Sequence, residues 1–473
     1  METLTSTEII QNDTSEKNQN NFLYLLSSCT LSNLSDGMSL AFLPLISIAI
    51  ATNPVTISSV DAIRQLPILL FAIPAGIMID KVNRATAIFL LNILRFLSLL
   101  WFAYILNENS ATIVHLFLLA LILGSIEAIN DVALPTVLPL IVKKEDLSRY
   151  NGIISSSETT ANYFIGRSLG STVSAISSNS AAVFLSAILY ILSSISIFPL
   201  IKKCNVKKDE TTRESLNSLI RNGFKYVFID KKLRYLAFMG IFGNAAFGAI
   251  FATLILFITK VIKAPTWAFG PIQGAFAVGS IILGLKVNLI IKKLGMWKAL
   301  LISVSIIPAS FFINILLPYW PIAIVSSFLN GASAVVWNNV SISYRQSTTP
   351  DYLLGRTTAK FRLLSWGSMP VGSFLGGIII NFSGYTSPYY LGTFLAILNI
   401  PFAVILWKDS LKKRELLNRN NIDPNCLGHE IKGSYSRLKV MLRQLEQGEL
   451  GQEESIANMK SRVDTLAHQT ILN

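Results

Sequence analysis

The sequence predicts an all-α membrane protein: about twelve transmembrane helices in two pseudo-symmetric six-helix bundles. Three observations carry that prediction. The 473 residues are 52% hydrophobic and 14% charged; a soluble domain carries about 25% charged residues, so most of this chain must be solvated by lipid. Apolar runs long enough to cross a ~30 Å hydrocarbon core recur along the chain, separated by short polar turns. Patterns in the first half also return in the second. Gly76-x-x-x-Asp80-x-x-x-Arg84 corresponds to Gly284-x-x-x-Asn288-x-x-x-Lys292, and Asn33-x-x-x-Gly37 to Asn244-x-x-x-Gly248. Leu147-x-Arg149 corresponds to Leu354-x-Arg356, and Gly170 to Gly377.

Taken in order, residues 1–21 are rich in Asn, Thr, Ser and Glu and read as a disordered cytoplasmic lead. The first bundle occupies 22–201, with spans at 22–50, 57–79, 85–106, 112–140, 152–177 and 180–201. A basic central loop covers 202–234. The second bundle occupies 235–407, with spans at 235–259, 266–290, 298–317, 321–344, 357–381 and 388–407. Residues 408–473 form a polar tail, in which Leu438, Met441, Leu442 and Leu445 have helical spacing. The loops at Lys81/Arg84, Lys143/Lys144/Arg149, 202–234, Lys292/Lys293 and Arg345/Arg356 are basic, whereas the alternate loops hold no Lys or Arg apart from Lys260 and Lys263. The positive-inside rule then places both termini and the central loop in the cytoplasm. It also accounts for the net charge of +13 without nucleic acid. Cys29, Cys204 and Cys426 match no metal or disulfide spacing, the lead contains no cleavable signal, and no phosphate-binding Gly-rich loop is present. Neither a cofactor nor a catalytic activity is predicted: no nucleophile and base pair up, and His115, His429 and His468 are placed outside the bundle.

A charge at mid-membrane costs about 2.5–3.5 kcal/mol, so charges within the spans are functional candidates. The first half holds Asp36 in span 1, Glu127 and Asp131 in span 4, and Glu158 in span 5. Glu127 and Asp131 are i and i+4, so they share a helix face and repel if both ionise. Either they carry a proton, or they pair with Arg95 or Arg167 and fix packing. Arg95 and Arg167 are read as buried ion-pair residues, and Asp61 with Arg64 as an outer-surface pair. The second half has basic groups instead, Lys286, Lys360 and Arg362. Asn33, Asn244, Phe247, Trp337, Asn338, Asn339 and Trp366 are candidates to line an amphipathic substrate cavity between the halves.

The turn after span 2, Gly76-x-x-x-Asp80-Lys81-x-x-Arg84, resembles the signature turn between helices 2 and 3 of major facilitator superfamily transporters. With Pro67, Pro74 and Arg95 it looks most like the branch of macrolide-efflux proteins and enterobactin exporters, drug/proton antiporters. Pro139, Leu147 and Asn151-Gly152 resemble that branch's joint between helices 4 and 5; Leu354-Gly355-Arg356 followed by Pro370, Gly372, Gly376 and Gly377 resembles its helix 11. The resemblance covers roughly residues 22–407. It departs from the antiporter pattern at helix 5, where Arg167 stands in place of proline. What it implies is a monomeric, proton-coupled exporter of the bacterial inner membrane for an amphipathic small molecule (a drug, macrolide, siderophore or other secondary metabolite), working by alternating access. Asp36, Glu127, Asp131 and Glu158 would couple proton to substrate. Gly76, Asp80, Arg84, Gly355 and Arg356 would form a gate. An importer or lysophospholipid flippase of the same fold is the alternative, as is a non-transporting sensor acting through the tail.

Overall fold

The computed structural model describes residues 6–71, 79, 82–142, 146–202, 230–349 and 351–419. The chain divides into two compact units, Met1–Ala403 and Val404–Asn473; the described part of the second is a continuous helix.

All regular elements among the described residues are helical. They include α1 (Ser6–Ile50), α2 (Pro54–Gln65), α3 (Pro67–Phe71), α4 (Arg84–Asn107), α5 (Ile113–Ile141), α6 (Leu147–Glu158), a π-helical turn (Thr159–Gly166), α7 (Arg167–Ile176) and α8 (Asn179–Ile197). There follow α9 (Lys231–Leu256), α10 (Phe269–Leu294), α11 (Met296–Leu316), α12 (Trp320–Thr348), α13 (Asp351–Trp366), α14 (Ser368–Ser383), α15 (Ser387–Ile397) and α16 (Asn399–Arg419). Ten helical stretches among the described residues are long and apolar enough to cross a bilayer. Of the two other expected spans, the second starts as α2 and α3 and continues outside the described residues. The fifth is the run from α6 through the π-helical turn to α7. The helix of the first span runs back to Ser6 into the polar lead; once a span nucleates a helix, each added residue needs only one further hydrogen bond.

The helix ends follow from local chemistry. Asn53 accepts from the Val55 N–H, Asn83 from Thr86, Ser178 from Ala181, and Asp230 from Lys232 and Leu233, each satisfying amides that a first turn leaves unpaired. Gly295 and Gly384, at φ +81° and +80°, end α10 and α14 in a conformation that side chains disfavour.

Packing repeats between the halves. In the first, α1 meets the π-helical turn and α7: a Cβ at Gly37 would collide with Asn162, and one at Gly170 with Met38. In the second, α9 meets α14 in the same way, Gly248 against Met369 and Gly376 against Ala249. The counterpart of Gly170 is therefore Gly376; Gly377 packs on Ser58 of α2 instead. Lipid is as apolar as a leucine core, so close backbone approach and polar contacts hold such helices together. Thus α1 and α8 are joined by hydroxyl contacts, Ser28–Ser193 at 2.9 Å and Ser35–Ser186.

Among the described residues the halves meet mainly at the end poor in lysine and arginine. There Ala41, Leu45 and Ile57 pack against Leu254, Ile255, Phe269, Ile272 and Ile380 in one apolar cluster. Beside it α2 lies along α14, and α10 lies along α7 and the π-helical turn.

Candidate functional site

Below that cluster a cavity of about 470 Å³ opens between the halves. The first half supplies its ionic groups. Asp61, Arg64 and Gln65 lie one turn apart on a single face of α2, Glu127 and Asp131 on one face of α5, and Tyr163 and Arg167 come from the π-helical turn and α7. The second half supplies amides and rings: Asn244, Phe247 and Phe251 from α9, Gln273 and Phe276 from α10, Trp337 and Asn338 from α12, and Trp366 from α13.

The pairings differ from those the sequence suggested. Arg64 is buried and meets Glu127, Nη2 to Oε2 at 2.7 Å, instead of forming an outer-surface pair with Asp61. The reason is rotational: α2 turns that face toward α5, and Gly124 lets the α5 backbone come against the Arg64 carbonyl. Asp61 reaches across to the second half, where the Ser373 hydroxyl donates to its Oδ2 at 2.8 Å while Gln65 donates to the same oxygen. Asp131 is exposed to the cavity.

Asp36 is buried away from the cavity. The Tyr190 hydroxyl donates to its Oδ1 at 2.7 Å, and Arg95 Nη1 lies 3.3 Å from its Oδ2, with the guanidinium 5.0 Å from the Tyr190 ring. Arg95 therefore lies against Asp36 rather than Glu127 or Asp131. Arg167 meets no carboxylate among the described residues. Its Nη1 donates to Gln273 Oε1 at 2.8 Å, and its guanidinium stacks 4.5 Å from the Tyr163 ring. Glu158 is half-buried off the cavity and accepts from the Cys29 thiol at 3.4 Å.

Of the expected lining residues, Asn244, Phe247, Trp337, Asn338 and Trp366 line the cavity, whereas Asn33 and Asn339 do not. Asn33 donates to the Cys29 carbonyl; Asn244, its counterpart, donates to the Gly240 carbonyl and also to Ser365 Oγ at 2.8 Å. Lys286 and Arg362 are exposed rather than buried, Arg362 lying 5.5 Å from the Trp366 ring, while Lys360 is buried. Long basic side chains on a span can carry their charge outward along an apolar stem. Of the expected gate, Gly76 and Asp80 lie outside the described residues, and Gly355 and Arg356 fall within α13, their side chains outside them too. Arg84 opens α4 and donates from Nη1 to the Thr136 carbonyl at 2.8 Å. Tyr163, Gln273 and Ser373 do not stand out in the sequence, because an uncharged polar residue in an apolar run carries little signal; the α2 triplet at i, i+3 and i+4 is the one clue available.

The model of the Major Facilitator Superfamily matches residues 25–365. The chain belongs to the major facilitator superfamily. Its fold and family are those of a membrane transporter rather than a catalytic enzyme. Two relatives in Bacillus subtilis strain 168 are uncharacterised MFS-type transporters. YfmI is 26% identical over 270 residues, covering 55% of this chain and 64% of its own length. YfiS is 25% identical over 222 residues, covering 45% and 50%. The chain thus spans less than two thirds of either relative. Among solved structures, the nucleoside transporter NupG (D323A mutant) has a TM-score of 0.68 at 12% identity, covering 81% of this chain and 99% of that one. A bacterial homologue of the iron transporter ferroportin, in an inward-facing state, has 0.66 at 13%, covering 81% and 98%. At these identities the likeness is one of fold.

Proposed function

We propose that this protein is a proton-coupled exporter that moves an amphipathic small molecule out of a bacterial cytoplasm by alternating access. The observation that carries the reading is the two-sided cavity, with its ionic groups on one half and its rings and amides on the other. Its volume suits a drug-sized ligand, and a mostly apolar wall with a few placed polar groups is how such ligands are held. The end poor in lysine and arginine faces outward, both termini face the cytoplasm, and the apolar cluster together with the Asp61–Ser373 contact forms the outer closure. Glu127 and Asp131 couple proton to substrate; Asp36, held by Arg95 and Tyr190, supports the first bundle. Export, and a substrate of the drug, macrolide or siderophore kind, rest on the resemblance of the Gly76–Arg84 turn and of helix 11 to macrolide-efflux and enterobactin-exporting proteins. One elementary charge moved through 100 mV supplies about 2.3 kcal/mol, enough for a useful gradient of a neutral substrate.

The test is transport in proteoliposomes under an imposed pH gradient, with a macrolide and an amphipathic fluorescent dye as probes. The wild type should accumulate at least one of them against its gradient. Glu127→Gln and Asp131→Asn should abolish gradient-driven movement while sparing exchange between equal pools. Undiminished gradient-driven transport in both variants would remove these carboxylates from the mechanism.

A further inference from the structure

The charges lining the cavity balance unequally. Glu127 is taken by Arg64, and Asp61 by Gln65 and Ser373. Three ionic groups of the lining have no opposite charge in contact among the described residues: Asp61, whose two partners are neutral, Asp131 on α5 and Arg167 on α7. Arg167 is only 7% exposed, and its Nε is buried with no hydrogen-bond partner. Its one hydrogen bond goes to a neutral amide, on Gln273 of the other half. Arg95 and Arg64, buried in the same half, each have a carboxylate. A buried guanidinium with no carboxylate in contact is costly, and its unused N–H groups face a cavity where an incoming anion can accept from them.

The wall beside Arg167 indicates what the anion is attached to. Tyr163, under the guanidinium, stacks on Phe276 at 6.2 Å across the two halves, and Phe276 meets Phe247 and Phe251 edge to face. That aromatic surface is continuous from the cation into the second half. Asp131 offers the opposite charge from a separate helix.

We infer that the cavity recognises an amphipathic zwitterion, a flat apolar body with a carboxylate (or similar oxyanion) on Arg167 and an amine at Asp131. This rests on the cavity being the substrate site of the proposed exporter, and it narrows the substrate class. The same chemistry makes Arg167 a specificity residue and Gln273 the group that aims it.

The full-length protein in lipid nanodiscs would be titrated with ciprofloxacin, which carries a carboxylate and a secondary amine at opposite ends of a fused ring. Its methyl ester and its N-acetyl derivative would be titrated alongside. The wild type should bind the parent about tenfold or more tightly than either derivative, as expected for charge-assisted hydrogen bonds. Arg167→Gln should erase the acid–ester difference yet keep the amine–amide difference; Asp131→Asn should do the reverse. Each retained preference shows that the variant is folded. Gln273→Glu, which gives Arg167 an internal carboxylate, should also erase the acid–ester difference. Equal affinities for the three compounds, no binding of the parent, or an acid–ester difference that survives both Arg167→Gln and Gln273→Glu would overturn the inference. If the compounds bind alike yet are driven by a pH gradient, the inference fails and the exporter reading stands; discrimination among them without any driven movement upholds the zwitterion site and overturns the exporter reading.

Discussion

At the residue scale, the first half buries three arginines in three ways. Arg95 is enclosed with Asp36 and Tyr190, Arg64 faces Glu127 at the cavity wall, and Arg167 rests on a neutral amide and a ring. Removing one partner of an enclosed pair strands the other charge, which costs about 3–5 kcal/mol. Asp36→Ala should therefore lower the thermal unfolding midpoint in detergent markedly, and Arg95→Leu alone should do the same. The double variant should recover much of the loss, since two apolar side chains replace the pair without leaving a charge behind. A double variant no more stable than the single ones would mean that the site matters for something other than its ion pair. Glu127 is different because its side chain is 32% exposed to the cavity. Its loss should affect coupling more than stability, comparing transport rate with unfolding midpoint.

At the element scale, glycines set how closely helices approach. Gly124 lets α5 lie against the Arg64 backbone, and Gly331 of α12 lies in the same way against Phe276 of α10, with Gly279 against Phe328 in return. Overpacking such a contact costs about 1–3 kcal/mol. Gly124→Val should push α2 away from α5 and lengthen the Arg64–Glu127 contact. Reduced stability with lost coupling is expected, measured by unfolding and by pH-driven transport; a variant with wild-type behaviour in both would contradict the close approach. The spans themselves were legible in the sequence because hydropathy reports depth in the bilayer directly. So was the duplication, down to the Asn33/Asn244 and Gly37/Gly248 pairs. Rotation about each helix axis was not legible, and it decides that Arg64 turns to Glu127 and Asp61 to Ser373. The π-helical turn, which carries Tyr163 into the cavity, leaves no mark in residue periodicity either. Most of the expected lining set was recoverable because asparagine and tryptophan stand out in an apolar run; Gln273, Tyr163 and Ser373 needed the packing of α10, the π-helical turn and α14 to acquire meaning.

At the scale of the whole molecule, among the described residues, two repeated halves touch through an apolar cluster and the Asp61–Ser373 contact at the end poor in basic residues, and through Arg167–Gln273 at the cavity beneath. An interface of that kind is either closed or open, so the proposed alternating-access cycle needs the contact between α2 and α14 to break each time. The halves are expected to rock about the cavity, and Asp61→Cys with Ser373→Cys, introduced together after Cys29, Cys204 and Cys426 are replaced by serine, test this. Cross-linking the pair should arrest transport of a substrate that the reduced protein moves, and adding reductant should restore it. Unchanged transport from fully cross-linked protein would contradict the rocking of the two halves.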